Sequence, residues 1–193
     1  MNARARAGLV LCAAAAVMAC GSSPNSTFYA LGPSHGTAQL GAPHAIQIRR
    51  VTIPGYLDRP GVVRRIVDFR LGIAPFERWG EPLDAMLGRV LAEDLEQRLP
   101  GSSVFTEDGS ITAAPDATVE VDVRRFDVGA TGGVNLVAEV AVLQAGQGHP
   151  ASTSRAVTLS EAPKDETTTS FVAAMSDLLG QLADQVAALL RSR

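Results

Sequence analysis

Two stretches of the chain carry apolar residues at helical period, and they limit its fold more tightly than any other feature. From Pro82 to Leu99, the residues Leu83, Met86, Leu87, Val90, Leu91 and Leu95 fall on one face; from Thr168 to Arg191, Phe171, Val172, Met175, Leu178, Leu179, Leu182, Val186 and Leu189 form a second stripe. A helix with one apolar stripe has to bury it against another element. Pro82 suits a first helical turn, where its missing amide costs nothing, and Pro100-Gly101 stops the helix. The threonines that precede Phe171 offer N-caps, and Arg191 complements the dipole at the other end.

The cover is supplied by stretches with strand period. Ile46 to Ile53 alternates, but the apolar phase slips by one residue across Arg49-Arg50, which predicts a β-bulge. Thr118 to Val128 repeats that slip across Arg124-Arg125. Val134, Leu136, Ala138, Val140 and Val142 mark a further strand, and Gly129-Ala-Thr-Gly-Gly133 before it reads as a hairpin turn. Ser154 to Leu159 adds another. Strands and helices mixed in this way predict an α/β sandwich with two main helices and at least one antiparallel hairpin.

The first residues have a different character. Two arginines without an acid precede an apolar or small run from Ala7 to Val17. As a helix that run rises only about 16 Å, roughly half of what a membrane-spanning segment must cross. It is expected to be a secretory signal covering residues 1–19. Val17-Met18-Ala19-Cys20 resembles a lipobox, so Cys20 is expected to carry diacylglycerol and an N-acyl chain as a membrane anchor, with no other cofactor. Cys12 lies within the removed segment, which leaves Cys20 as the one cysteine of the mature chain. Two or more acyl chains anchor a protein stably where one does not. Gly21-Ser22 follow without the acidic residue that commonly retains a lipoprotein in the inner membrane, which favours the outer membrane.

Residues 20–45 are rich in Gly, Ser, Pro and Thr and read as a tether from the lipidated cysteine, interrupted by Thr27-Phe-Tyr-Ala-Leu31, a candidate edge strand. Residues 46–193 fit one domain. Removal of the signal takes away Arg4 and Arg6 and leaves fifteen basic against twenty acidic residues, a net charge of −5. Bulk charge therefore does not favour nucleic acid as a partner.

Chemistry-bearing patterns are sparse. His35, His44 and His149 lie in the tether or in a Gly/Pro turn without metal-ligand spacing. Neither a nucleophile elbow nor a phosphate loop occurs, and Gly146-Gln-Gly148 lacks the third glycine of a dinucleotide motif. The chain is therefore expected not to be an enzyme, with no catalytic and no metal-binding residues. Two blocks stand out: Ile53-Pro-Gly-Tyr-Leu-Asp-Arg-Pro60, a turn with an aromatic and adjacent opposite charges, and Arg78-Trp-Gly-Glu-Pro-Leu83, which leads into the first helix. Taken alone, they read more readily as structure than as a binding surface: Pro54-Gly55 turns the chain, Trp79 fills the core, and Glu81 sits on the helix dipole.

Together with the lipobox, Phe28-Tyr29-Ala-Leu31 and a final helix opening near Ala174-Met-Ser176, these two blocks resemble the PqiC-type ABC-transport auxiliary lipoprotein family. Gly80 stands where that family often has alanine. The resemblance spans nearly the whole chain from Cys20 and implies a single three-layer α/β/α-like domain with a mixed sheet. It implies residence on the periplasmic face of the outer membrane, lipid-anchored, beside an MCE-domain lipid carrier and an inner-membrane transporter component. Self-association is a further implication. Pro54, Gly55, Tyr56, Leu57, Asp58, Arg59, Arg78, Trp79, Glu81 and Pro82 carry over as motif positions serving fold or contact. The function expected is an accessory subunit of intermembrane lipid transport, with an independent envelope lipoprotein that supports outer-membrane integrity as the alternative.

Overall fold

A computed structural model describes residues 25–65, 69–129, 131–145 and 151–191. The expected signal, Cys20 and His149 lie outside these residues. The strongest alternation builds the centre of the fold. Val119, Val121 and Val123 on β6 (Ala117–Val128) and Val134, Leu136, Ala138, Val140 and Val142 on β7 (Val134–Gln144) are all buried. The two strands form an antiparallel hairpin, and Gly132 takes a φ of +83° in the turn that joins them. β8 (Ala151–Glu161) pairs with β7 on the far side, several residues longer than its expected core.

β2 (Ala45–Ile48) lies parallel to β6 and to β5 (Ser103–Thr106), giving a mixed five-stranded sheet in the order β5-β2-β6-β7-β8. Both expected bulges are present. On β6 the register shifts between Val123 and Arg125. After β2 one surplus residue separates the Ile48↔Val119 pairing from the Thr52↔Asp122 bridge, so that Ile48 and Val51 both reach the core.

Helix α1 (Leu83–Arg98) and helix α2 (Thr168–Arg191) begin and end within a residue of their expected limits. Pro82 is the N-cap of α1, and the Thr167 hydroxyl accepts the Ser170 amide at 3.2 Å before α2. The two stripes are buried against the sheet and against each other: α1 packs on β5 and α2, and α2 on β6, β7 and β8. The protein is thus a mixed α/β domain with two main helices. Its helices lie side by side on one face of the larger sheet instead of on opposite faces. The other face displays Glu120, Asp122, Arg124 and Glu139, as expected of antiparallel strands with one solvated side.

A second, three-stranded sheet is also mixed. Its order is β1 (Thr27–Tyr29), β4 (Leu71–Trp79) and β3 (Gly61–Arg65), with β1 parallel and β3 antiparallel to β4. It is fixed to the start of α2 by Arg64, which donates to the Glu166 carbonyl and the Thr168 hydroxyl and lies 5.6 Å from the Phe171 ring centre, while Thr168 donates to Glu77.

From Thr27 onward, the stretch expected to be a tether is laid against the domain. Beyond the edge strand β1, residues 31–40 run along the groove between the helices. Leu31 is buried with its amide 3.1 Å from the Met86 sulfur, Gly32 donates to Ser176 Oγ, and Ser34 donates to Asp94 Oδ1 at 2.7 Å. Arg98 donates to the Ser34 carbonyl, and Arg191 to the Leu40 carbonyl. Alternating partners on α1 and α2 make this segment a strap that closes the outside of the helix pair.

Candidate functional site

The three motif segments, far apart in sequence, meet at one junction. The Pro54 carbonyl accepts the Leu57 amide at 2.8 Å, closing the turn that Pro54-Gly55 begins. Leu57 enters the core at 3% exposure, and Tyr56 donates to Asp127 Oδ2 at 2.7 Å. Asp127, fully buried, also accepts from Arg125 Nε at 2.9 Å. Pro60 offers its carbonyl to the Trp79 amide at 2.8 Å, and the next amide, Gly80, bonds the Tyr29 carbonyl at 2.8 Å. Register places Tyr29 beside Trp79, whose indole is 6% exposed. The turn, the tryptophan and β1 therefore lock one another.

Around this locked centre the motif positions divide by exposure. Leu57 and Trp79 are core; Glu81 accepts twice from Arg89 and Pro82 caps α1. Gly55, Asp58, Arg59 and Arg78 remain exposed. The first group holds the fold together at the junction, and the second is the part that a partner could touch.

Beside the junction runs a charged groove that was not read from the sequence. The β-bulge sends its two arginines to different partners: Arg49 to Glu120 at 2.7 Å, and Arg50 through Nε and Nη2 to Asp84 at 2.9 and 2.6 Å. Burial pushes the Asp84 carboxyl up, but the hydrogen bonds from Arg50 and the Ala85 amide outweigh it and hold the group below its ordinary range. A groove of about 660 Å³ is lined by Arg49, Arg50, Thr52, Glu107, Glu120 and Asp122 among others, and two smaller ones share Arg50. Its charges are of both signs and pair across it, as do Arg124 and Glu139. Such walls suit a solvated polar surface and oppose an acyl chain. The signal that could have located the groove was the doubled Arg-Arg slip, since a bulge re-aims side chains.

The smaller sheet carries the opposite character. Phe28, Leu71, Ile73 and Phe76 are exposed along β1 and β4, and Phe69 stands at the turn into β4. β4 holds three surplus residues between its pairings with Gly61 and Val63. An odd surplus resets the alternation, so by register Leu71 and Ile73 return to the side that carries Phe28 and Arg78. Among the described residues no group of three His, Cys, Asp or Glu side chains is placed to hold a metal, and no helix is long and apolar enough to cross a membrane.

No curated protein matches the sequence. Solved structures share the fold, two of them over most of the chain. One, described as the crystal structure of an uncharacterized protein, is 23% identical with a TM-score of 0.71, covering 86% of this chain and 99% of its own. The other, protein XCC0632 from Xanthomonas campestris, of the family DUF330, is 18% identical with a TM-score of 0.68, covering 85% of this chain and 94% of its own. The model of the family described as ABC-type transport auxiliary lipoprotein component matches residues 29–187, which runs from the last residue of β1 through both motif blocks and most of α2, and the chain belongs to that family.

Proposed function

We propose that the mature chain is a non-catalytic accessory subunit of an MCE-type intermembrane lipid transport system. Acylated Cys20 holds it on the periplasmic face of the outer membrane, where it docks the MCE-domain carrier and, through it, the inner-membrane transporter component. Family membership supports a role beside a transporter, and the lipobox and signal supply the anchor. One observation favours docking over lipid carriage. The apolar helix stripes that would have to line a lipid cavity are spent on the core, where Leu87, Val90, Leu91, Leu178, Leu182 and Val186 are at most 1% exposed. Confinement to one membrane surface raises the local concentration of the subunit at the end of the carrier. The exposed motif residues Asp58 and Arg59, of which Asp58 lines an arm of the charged groove, form the docking surface.

The test is co-purification after crosslinking in intact envelopes, comparing wild type with Cys20→Ala. Recovery of an MCE carrier with wild type, reduced in the variant, is expected. Efficient crosslinking that captures no transporter component would sink the assignment and leave an independent envelope lipoprotein. Self-association belongs to the same proposal, and the mass of the crosslinked species reads it in the same sample.

A further inference from the structure

We propose that the outer side of the three-stranded sheet, with Phe28, Leu71, Ile73, Phe76 and the projecting Phe69, lies on the headgroup layer of the bilayer that Cys20 enters. This inference rests on the reading of Cys20 as a lipid anchor.

Seven large hydrophobic side chains are exposed among the described residues, and five of them belong to this one small sheet and its turn. Single exposed apolar groups need no explanation, but a cluster does. Phe69 is 99% exposed, and its φ of +63° is a conformation that a bulky residue adopts at a cost. Arg70 adjoins it, and Arg78 stands beside Phe28 in register; both are exposed. Aromatic rings next to guanidinium groups match the boundary of acyl chains and phosphates. The net negative charge of the chain disfavours attraction by bulk charge, so the contact is local.

Chain geometry selects the bilayer as the occupant. β1 runs parallel to β4 with Thr27 beside Glu77, so the chain approaches β1 from the side on which Phe76, Ile73, Leu71 and Phe69 lie. Seven Cα steps separate Cys20 from Thr27, at most about 25 Å when fully extended. The six Cα steps from Glu77 back to Leu71 span no more than about 20 Å of strand. The linker therefore keeps the anchor within about 25 Å of Thr27, on the sheet that carries the apolar strip. A folded domain of about 100 residues has a radius of gyration of about 13 Å and is wider than the largest gap that the linker permits, which excludes a globular protein layer between this sheet and the membrane. Leu40, also exposed at 75%, marks the opposite end: its carbonyl is held by Arg191 at the end of α2, whereas the small sheet is fixed at the start. The 24 residues of α2 place the two ends about 36 Å apart.

The mature chain has no free thiol once Cys20 is acylated, so a spin label can be placed at one position at a time. Acylated full-length mature protein carrying Phe69→Cys or Leu40→Cys, labelled and reconstituted into vesicles of phosphatidylethanolamine and phosphatidylglycerol, is floated and its accessibility to oxygen and to a water-soluble nickel relaxant measured. The label at 69 is expected to be shielded from nickel several-fold more than that at 40 and to be open to oxygen. Equal nickel access at both positions, in protein that floats, overturns this inference alone. Shielding from both relaxants, or spin-spin broadening, also overturns it, in favour of contact with a second copy. Protein that fails to float, with Cys20 unmodified by mass spectrometry, overturns the anchor and this inference together.

Discussion

Arg98, 1% exposed, donates from Nε to Oδ1 of Asp184 at 2.6 Å, and this bond ties α1 to α2 across the groove that the strap fills. The same guanidinium reaches the Ser34 carbonyl at 2.9 Å and the buried Asp94 at 3.5 Å, so one side chain joins both helices and the strap.

Removing it has an asymmetric cost. Arg98→Ala strands Asp94 as a buried charge and is expected to lower stability by about 3 to 5 kcal/mol in urea denaturation. Asp184 is 45% exposed, so Asp184→Ala leaves no buried carboxylate; the buried Arg98 loses one acceptor but keeps its bonds to Ser34 and Asp94, and the expected cost is smaller, about 1 to 3 kcal/mol.

Burial pushes the Asp94 carboxyl up to about 6, against the hydrogen bond from Ser34 and the attraction of Arg98. Its folded-state pKa lies above the ordinary value near 3.8, so between about pH 4 and 6 the folded protein binds more protons than the unfolded chain. The contribution of Asp94 to stability therefore falls as pH rises through that window, by an amount on the order of 3 kcal/mol, and is flat above it. Asp84 and Asp165, held below their ordinary range, act oppositely and only at lower pH. The difference between wild type and Asp94→Asn, measured by urea titration at pH 4.5, 5.5 and 7, isolates the slope; a difference that does not vary with pH would contradict it.

Gly36 is where the strap passes closest to Arg98. A Cβ built there would stand 2.3 Å from the guanidinium carbon, and that side chain is held by partners on three sides. Gly36→Ala is expected to destabilise by about 1 to 3 kcal/mol through overpacking. Gly32→Ala, with open space around its Cβ, serves as the control and is expected to stay close to wild type.

Trp79 is the one tryptophan and is buried, so its emission is expected to be blue-shifted in the folded protein and to move red on unfolding. Trp79→Ala empties the junction of the motif blocks and is expected to cost about 3 to 5 kcal/mol by calorimetry. Tyr56→Phe, which takes one donor from the buried Asp127, is expected to cost about 1 to 3 kcal/mol.

What could be read from the sequence was what local periodicity encodes. The helix stripes, the β6–β7 hairpin and the slips at Arg49-Arg50 and Arg124-Arg125 each depend on neighbours within a few residues. β5 escaped because its four residues gain their order from a parallel partner, β2, nearly sixty positions earlier. The strap escaped because its Gly, Pro and Ser content is that of a linker, while the groups that hold it come from distant helices. The motif blocks were visible, but their adjacency depends on backbone bonds such as Trp79 to Pro60 that no composition reveals. The apolar strip was hidden by the surplus residues of β4, which break the alternation that would have announced it.

The strap also imposes an order on folding. Arg191 holds the Leu40 carbonyl at 2.8 Å across 151 residues of sequence, and Gln39 is held by the same side chain. Contacts so distant pay their loop-closure entropy last. As the chain emerges N-terminus first, residues 31–40 come early, but the groove they fill has only its α1 wall until α2, the last helix, has been made. Residues 31–40 are therefore among the first parts of the domain to be delivered and among the last to find their place.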